Sequence, residues 1–168
     1  MKLAAFDAVA NALDAACVRY LVAGGLAVNA HGYVRLTLDI DLVIALDAGN
    51  IHQAFHALAG IGYRPTVPID ADAFARSEQR QLWREEKGMQ VLNFQSDGFP
   101  GTSVDVFVYE PFDFANEYEV AMRGELLPGI HVRFVTIPTL IRMKQTAGRP
   151  RDLDDIQHLK WLQENPDE

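Results

Sequence analysis

Thr37-Leu38-Asp39-Ile40-Asp41-Leu42-Val43-Ile44-Ala45-Leu46 is the most informative stretch of this chain. Ile40, Leu42, Val43, Ile44 and Leu46 make 40–46 a strand candidate. Side chains on a strand alternate faces, so Asp39 and Asp41 share one side, ~7 Å apart, with Ile40 on the other. Two carboxylates placed in this way repel each other unless a cation lies between them. Setting both at the start of an apolar strand is costly without that cation. Hard oxygen donors of this kind suit Mg²⁺ or Mn²⁺. A solvated strand end with one turn cap is the plainer alternative for the D-x-D on its own.

Upstream, Val22-Ala23-Gly24-Gly25-Leu26 reads as a strand, a glycine pair and a helix start. A glycine pair lets backbone approach a ligand closely, and a helix N-terminus offers N–H groups to a phosphate. A third glycine at dinucleotide-fingerprint spacing is missing, as are the Lys and Ser/Thr of a Walker loop. A tight structural turn is the rival explanation. Downstream, Asp105 sits inside the run Ser103-Val104-Asp105-Val106-Phe107-Val108, where an unpaired carboxylate is destabilising. If this strand lies beside 40–46, Asp105 completes a cluster of three carboxylates; a salt bridge to an arginine is the competing arrangement.

The remaining pattern interleaves helices and strands. A first helix is expected over 3–17, a strand over 19–23, a helix over 26–31, and a helix over 49–59 capped by Asp47. Further strands are expected over 61–66, 89–94 and 103–109. The polar stretch 67–87 reads as a loop with one helical turn. A hairpin of 119–127 with 130–135 turns at Pro128-Gly129, and its apolar strands suggest an exposed sheet edge. Pro138 opens a helix to Ala147, Gly148-Arg149-Pro150 breaks it, and Asp152 starts and caps a last helix to Gln163, followed by a fraying end over 165–168. These elements fit one α/β (α+β) domain over 1–168, with a mixed central sheet flanked by helices, a core over 18–109, and C-terminal strands and a helical pair over 119–164.

Composition narrows the function classes. The chain has 168 residues, 15 Lys plus Arg against 23 Asp plus Glu, and a formal net charge of −8, which argues against generic charge-driven nucleic-acid binding. A single cysteine, Cys17, excludes an internal disulfide and a multi-cysteine zinc site. No apolar run reaches membrane-span length, and Met1-Lys2-Leu3-Ala4 leads into an amphipathic stretch unlike a signal peptide. A reduced, cytoplasmic protein without membrane partners is the expectation.

Taken together, Gly24-Gly25, thirteen intervening residues, Asp39-Ile40-Asp41 and the later Asp105 resemble the nucleotidyltransferase superfamily of the DNA polymerase β type. Gly24-Gly25-Leu26-Ala27, His31-Gly32, Arg35 and Thr37-Leu38-Asp39-Ile40-Asp41-Leu42 resemble more closely the AbiEii/AbiGii abortive-infection nucleotidyltransferases and their small relatives. So does the tail, in which Lys144 is followed by Arg149-Pro150-Arg151-Asp152-Leu153-Asp154-Asp155. The chain departs from that group in being short for a full toxin and in having Gly25 where many superfamily members carry Ser. The resemblance implies a nucleotidyltransferase fold and metal-dependent transfer of an NMP group from an NTP to an acceptor such as RNA (tRNA included), protein or a small molecule, within a toxin–antitoxin or abortive-infection pair. It implies Asp39, Asp41 and Asp105 as ligands of Mg²⁺ or Mn²⁺, with Asp105 alternatively a base. Gly24, Gly25, Arg35, Thr37 and Asp152 would bind nucleotide, and Lys144 would act at the reacting phosphate. A catalytically minimal module that binds nucleotide or a partner protein is the alternative.

Other candidates read as structural. His52 and His56 have metal-pair spacing, but Gln53 stands where a zinc protease needs Glu. His31 is expected to play a local structural role near the glycine turn, and Cys17 to lie in the core. Arg76, Arg80, Arg84 and Lys87 would align on one helical face beside Trp83, as a solvated face or a nucleotide or RNA contact.

Overall fold

The computed structural model describes residues 3–167. Met1, Lys2 and Glu168, which belong to the expected N-terminal stretch and the expected fraying end, lie outside the described residues. Phe6, Val9, Ala10 and Leu13 recur at helical spacing and are buried along α1 (Leu3–Ala15). The continuous apolar run that follows gives β1 (Tyr20–Ala23), buried at every position as a central strand requires. Gly24 then turns the chain directly into α2 (Gly24–Ala30).

β2 (Ile40–Ile44) runs antiparallel to β1, and α3 (Ala48–Gly60) starts at Asp47, whose side chain accepts from the Asn50 backbone as expected. β3 (Arg64–Pro65), β4 (Val91–Gln95) and β5 (Val104–Phe107) follow, with α4 (Ala71–Ala75) and α5 (Ser77–Lys87) between the first two. The chain closes with α6 (Phe114–Val120), β6 (Met122–Leu127), β7 (Ile130–Phe134), α7 (Ile137–Ala147) and α8 (Pro150–Glu164).

Among the described residues seven strands form one mixed sheet in the order β3-β4-β5-β2-β1-β7-β6. β2 pairs parallel with β5, and β1 parallel with β7; the remaining pairings are antiparallel. The expected hairpin edge is present, since β6 is the last strand. Leu21, Val22, Ile40, Leu42, Val104 and Val106 form the middle of the core, and burial of each such side chain contributes about 1.5–3 kcal/mol. No helix among the described residues is long and apolar enough to cross a membrane.

Four expectations are corrected. Within 67–87, read as a loop with one helical turn, Ala71–Ala75 and Ser77–Lys87 are helices: Asp70 caps the first, Gly88 ends the second in a left-handed conformation, and Phe74, Arg80 and Trp83 are buried. Burying Arg80, which donates to the Phe74 carbonyl, breaks the even solvated face expected of 76–87. Residues 114–120 are helical, capped by Asp113, so the first hairpin strand begins at Met122 and not at 119. Cys17 is exposed at φ 56°, because it lies in the turn that closes α1 and leads into β1. Asp152 does not begin α8. Pro150, with φ preset for the first turn, opens that helix, and Asp152 sits two residues further in, accepting from the Arg149 backbone N–H at 3.0 Å.

Candidate active site

Asp41 and Asp105 face each other in register on the parallel strands β2 and β5. Asn93 on β4 lies opposite Asp105 in turn, so Asn93, Asp105 and Asp41 form one row across three neighbouring strands. β2 is otherwise buried, Val104 and Val106 beside Asp105 are buried, and the two acids are half-buried. Asp39, two residues before Asp41 and on the same face, pairs instead with Ser103: Ser103 Oγ donates to Asp39 Oδ1 at 2.7 Å, and the Ile40 N–H donates to the Ser103 carbonyl. Asn93 Nδ2 donates to Asp105 Oδ1 at 2.6 Å. The competing salt bridge from an arginine to Asp105 is not among the ion pairs of the described residues, and neither Asp39 nor Asp41 forms one there.

The three carboxylates feel one another. Burial, and then the charges of Asp105 and Asp39, push the Asp41 carboxyl up to about 6, against the opposing pull of Lys144 and Arg149. Burial also raises Asp105, with a further push from Asp39 and a partial offset from the Asn93 hydrogen bond. Like charges directly opposite on a sheet are destabilising, so this row is maintained at a cost to stability.

The glycine pair is shaped to the same row. Gly24 has φ +62°, and a Cβ there would lie 2.0 Å from Asp41 Oδ2. Backbone with no side chain is therefore required against the Asp41 carboxylate. A Cβ on Gly25 would lie 2.6 Å from Thr37 Oγ1 and 3.2 Å from an Arg35 guanidinium nitrogen, which places Thr37 and Arg35 behind the glycine turn.

A cleft of about 800 Å³ is lined by Gly24, Asp41 and Asp105 together with Arg142, Lys144 and Arg149 from the α7–α8 region. The structure thus brings Gly24, Asp41, Asp105 and Lys144 to one cavity. Asp39, Gly25, Arg35, Thr37 and Asp152 lie outside its lining. Arg35 grips Asp155 through two 2.7 Å hydrogen bonds, and Lys144 Nζ lies 2.7 Å from the same carboxylate and 3.5 Å from Asp152. Asp152 and Asp155 are fully buried, and Arg149 adds a bond to Asp152 at 2.8 Å. Asn93, Ser103 and the network centre Asp155 were not singled out by sequence; only the strand parity of Ser103 with Asp105 hinted at the second.

The donors fit a divalent cation. Among the described residues no three His, Cys, Asp or Glu side chains converge tightly enough to form a complete cage. Mg²⁺ rarely uses such a cage: one or two carboxylates suffice when water and substrate phosphates complete its shell. The outcome is otherwise for the histidines. His52 pairs with Asp72, and His31 bonds the Val135 carbonyl, the local structural role expected of it.

No protein-family model and no curated protein matches the sequence. Solved structures do match in fold. The crystal structure of ANT(2'')-Ia in complex with adenylyl-2''-tobramycin superposes with a TM-score of 0.58 at 14% identity, over 93% of this chain and 86% of that one. The solution structure of the antibiotic-resistance factor ANT(2'')-Ia gives 0.58 at 15%, over 92% and 80%. An antigenic nucleotidyltransferase-like protein from Paracoccidioides brasiliensis gives 0.51 at 20%, over 89% and 71%. The mixed sheet with its flanking helices is the nucleotidyltransferase fold.

Proposed function

We propose that this protein is a nucleotidyltransferase that moves an NMP group from an NTP to a hydroxyl-bearing acceptor. The observation that carries the proposal is the pairing of Asp41 with Asp105 against the Gly24 turn, in a cleft that Arg142, Lys144 and Arg149 also line. Asp39 and Asp41 are the main ligands for Mg²⁺ or Mn²⁺, with Asp105 as a further ligand or as the base. A bound divalent cation supplies positive charge to the phosphates during transfer.

The rest is work for the chain's own groups. Asp105 accepts the proton of the acceptor hydroxyl as the acceptor oxygen bonds to the α-phosphorus and the bond to pyrophosphate breaks. Arg142, Arg149 and Lys144 face the negative charge on the triphosphate and the departing pyrophosphate. Gly24 and Gly25 let the phosphates approach backbone closely. Arg35, Thr37 and Asp152 support this machinery from behind, through the Asp155 network and the Gly25 contact.

For the acceptor, we favour a small polar molecule. ANT(2'')-Ia, of similar fold, is seen with an adenylylated small molecule, and a net charge of −8 gives an RNA acceptor no electrostatic help. An RNA acceptor and a toxin–antitoxin partner rest on the AbiEii-type sequence resemblance alone. The cytoplasm, where NTPs are abundant, is the proposed setting.

Incubation with ATP labelled at the α-phosphate, Mg²⁺, and separate RNA and small-molecule fractions of a cell extract tests this. Label should enter the small-molecule fraction, and Asp41→Asn should lower transfer about 100-fold or more. Undiminished transfer by Asp41→Asn would overturn the assignment. Label in RNA would overturn the acceptor class, and metal-dependent ATP binding without transfer would make the chain a nucleotide-binding module.

A further inference from the structure

We propose that Asn93 and Ser103 are positioning residues, each holding one oxygen of a carboxylate that flanks Asp41 so that the other stays available to a cation. The inference rests on the nucleotidyltransferase reading and adds two residues to it. Three aspartates on one face of two adjacent strands repel one another, and a flexible carboxylate relieves that repulsion by rotating away. In this site the outer two are not free to do so. Asp39 Oδ1 is bonded by Ser103 Oγ at 2.7 Å, and Asp105 Oδ1 by Asn93 Nδ2 at 2.6 Å.

Both donors are neutral, which matters for what the site can take up. A lysine or arginine in either place would satisfy a carboxylate fully and compete with an incoming cation. A neutral N–H or O–H fixes one oxygen and leaves the negative charge in place. Among the described residues the second oxygen of each carboxylate accepts no hydrogen bond. Sheet register enforces the arrangement: Asn93 lies opposite Asp105, and Ser103 stands beside Asp39 where β5 enters its pairing with β2. Asp41, between them, is confined by the Gly24 backbone instead. Each of the three acids is therefore oriented by a different neutral contact. Neutral partners that orient ligating groups commonly matter about 10–100-fold for metal affinity.

Calorimetric titration of Mn²⁺ with ATP into the full chain, alongside thermal unfolding without ligand, tests the proposal. Asn93→Leu removes the donor at similar volume, Ser103→Ala removes the other, and Ser103→Thr keeps a hydroxyl. Asn93→Leu and Ser103→Ala should each weaken Mn²⁺–ATP binding by about tenfold or more, while Ser103→Thr stays near the wild type and ligand-free melting changes little. Wild-type affinity in both Asn93→Leu and Ser103→Ala would overturn the inference while leaving the nucleotidyltransferase reading intact. If Asn93→Leu does not fold, Ser103→Ala against Ser103→Thr decides. Absence of binding by the wild type itself would overturn the underlying reading and the inference with it.

Discussion

Lys144 and Arg35 share a single carboxylate: Lys144 Nζ lies 2.7 Å from one oxygen of Asp155, and Arg35 bonds both oxygens at 2.7 Å. Asp155 is fully buried and Lys144 nearly so. The pairing ties α8 to the segment that leads into Asp39, and it fixes the lysine on the cleft wall. Removing one member of a buried pair leaves an uncompensated charge, which typically costs 3–5 kcal/mol. Asp155→Ala should lower stability by about that amount in urea unfolding, and more than Asp154→Ala, whose carboxylate is more exposed and bonds Tyr33.

The same network sets a response to acid. Burial alone would raise Asp155, but hydrogen bonds from Arg35 and Lys144 outweigh it and hold the carboxyl below its ordinary value. Asp152 follows the same pattern: burial raises it, and the Arg149 hydrogen bonds together with the charges of Arg149 and Lys144 outweigh that and lower it. A carboxyl with a depressed folded-state pKa stabilises the fold above its unfolded value of about 3.9, and that contribution is lost as pH falls through the folded value. Melting temperature should therefore drop below about pH 4, and Asp155→Asn should flatten the drop. An unchanged acid limb in Asp155→Asn would contradict this.

Asp41 behaves in the opposite sense. Its folded-state pKa is pushed up to about 6, above the unfolded value, so the native state binds more protons between about pH 4 and 6. Stability associated with this group therefore rises as pH falls from 6 towards 4, and at neutral pH its charge is a burden of roughly 2 kcal/mol, discounted for partial exposure. In metal-free buffer Asp41→Asn should melt higher than the wild type at pH 7–8, with the gain shrinking towards pH 4, while transfer is lost.

Gly24→Ala should damage the site twice. Its φ of +62° costs a non-glycine residue about 1–3 kcal/mol, and the new Cβ would lie 2.0 Å from Asp41 Oδ2. The expected result is a lowered melting temperature together with nucleotide affinity reduced well beyond what the lost stability explains. Gly60→Ala, where a Cβ meets nothing within 4 Å, is the control.

Arg142 lines the cleft, is exposed, and its guanidinium has only the Thr139 hydroxyl as a hydrogen-bond partner among the described residues. Arg142→Ala should weaken ATP binding about tenfold, equivalent to about 1.4 kcal/mol, with little change in melting. Equal affinity would remove Arg142 from the phosphate-binding side.

The strands of this site were legible because Val, Ile and Leu run through 20–23, 40–44 and 104–107 and make the interrupting acids conspicuous. The pairing of Asp105 with Asp41 is not legible locally, because a parallel pairing across about sixty residues leaves no local mark on the sequence. Helix α5 was hidden because its buried residues are Arg80 and Trp83, so polarity masked the apolar stripe. Cys17 reads as a core residue by type, yet a turn geometry places it outside. Arg35 and Lys144 stand out as cations in sequence, whereas their partner Asp155 is one of several acids in 152–155 and only packing distinguishes it.

Thermal unfolding with ATP, in the presence of Mg²⁺ and in the presence of a chelator, tests most directly whether Asp39 and Asp41 hold a divalent cation and the nucleotide it carries. At a hundred times the dissociation constant the wild type should gain about 2.7 kcal/mol with Mg²⁺ and nothing with chelator, and Asp39→Asn and Asp41→Asn should gain nothing in either. An equal gain with chelator, or an undiminished Mg²⁺-dependent gain in Asp41→Asn, would contradict the account.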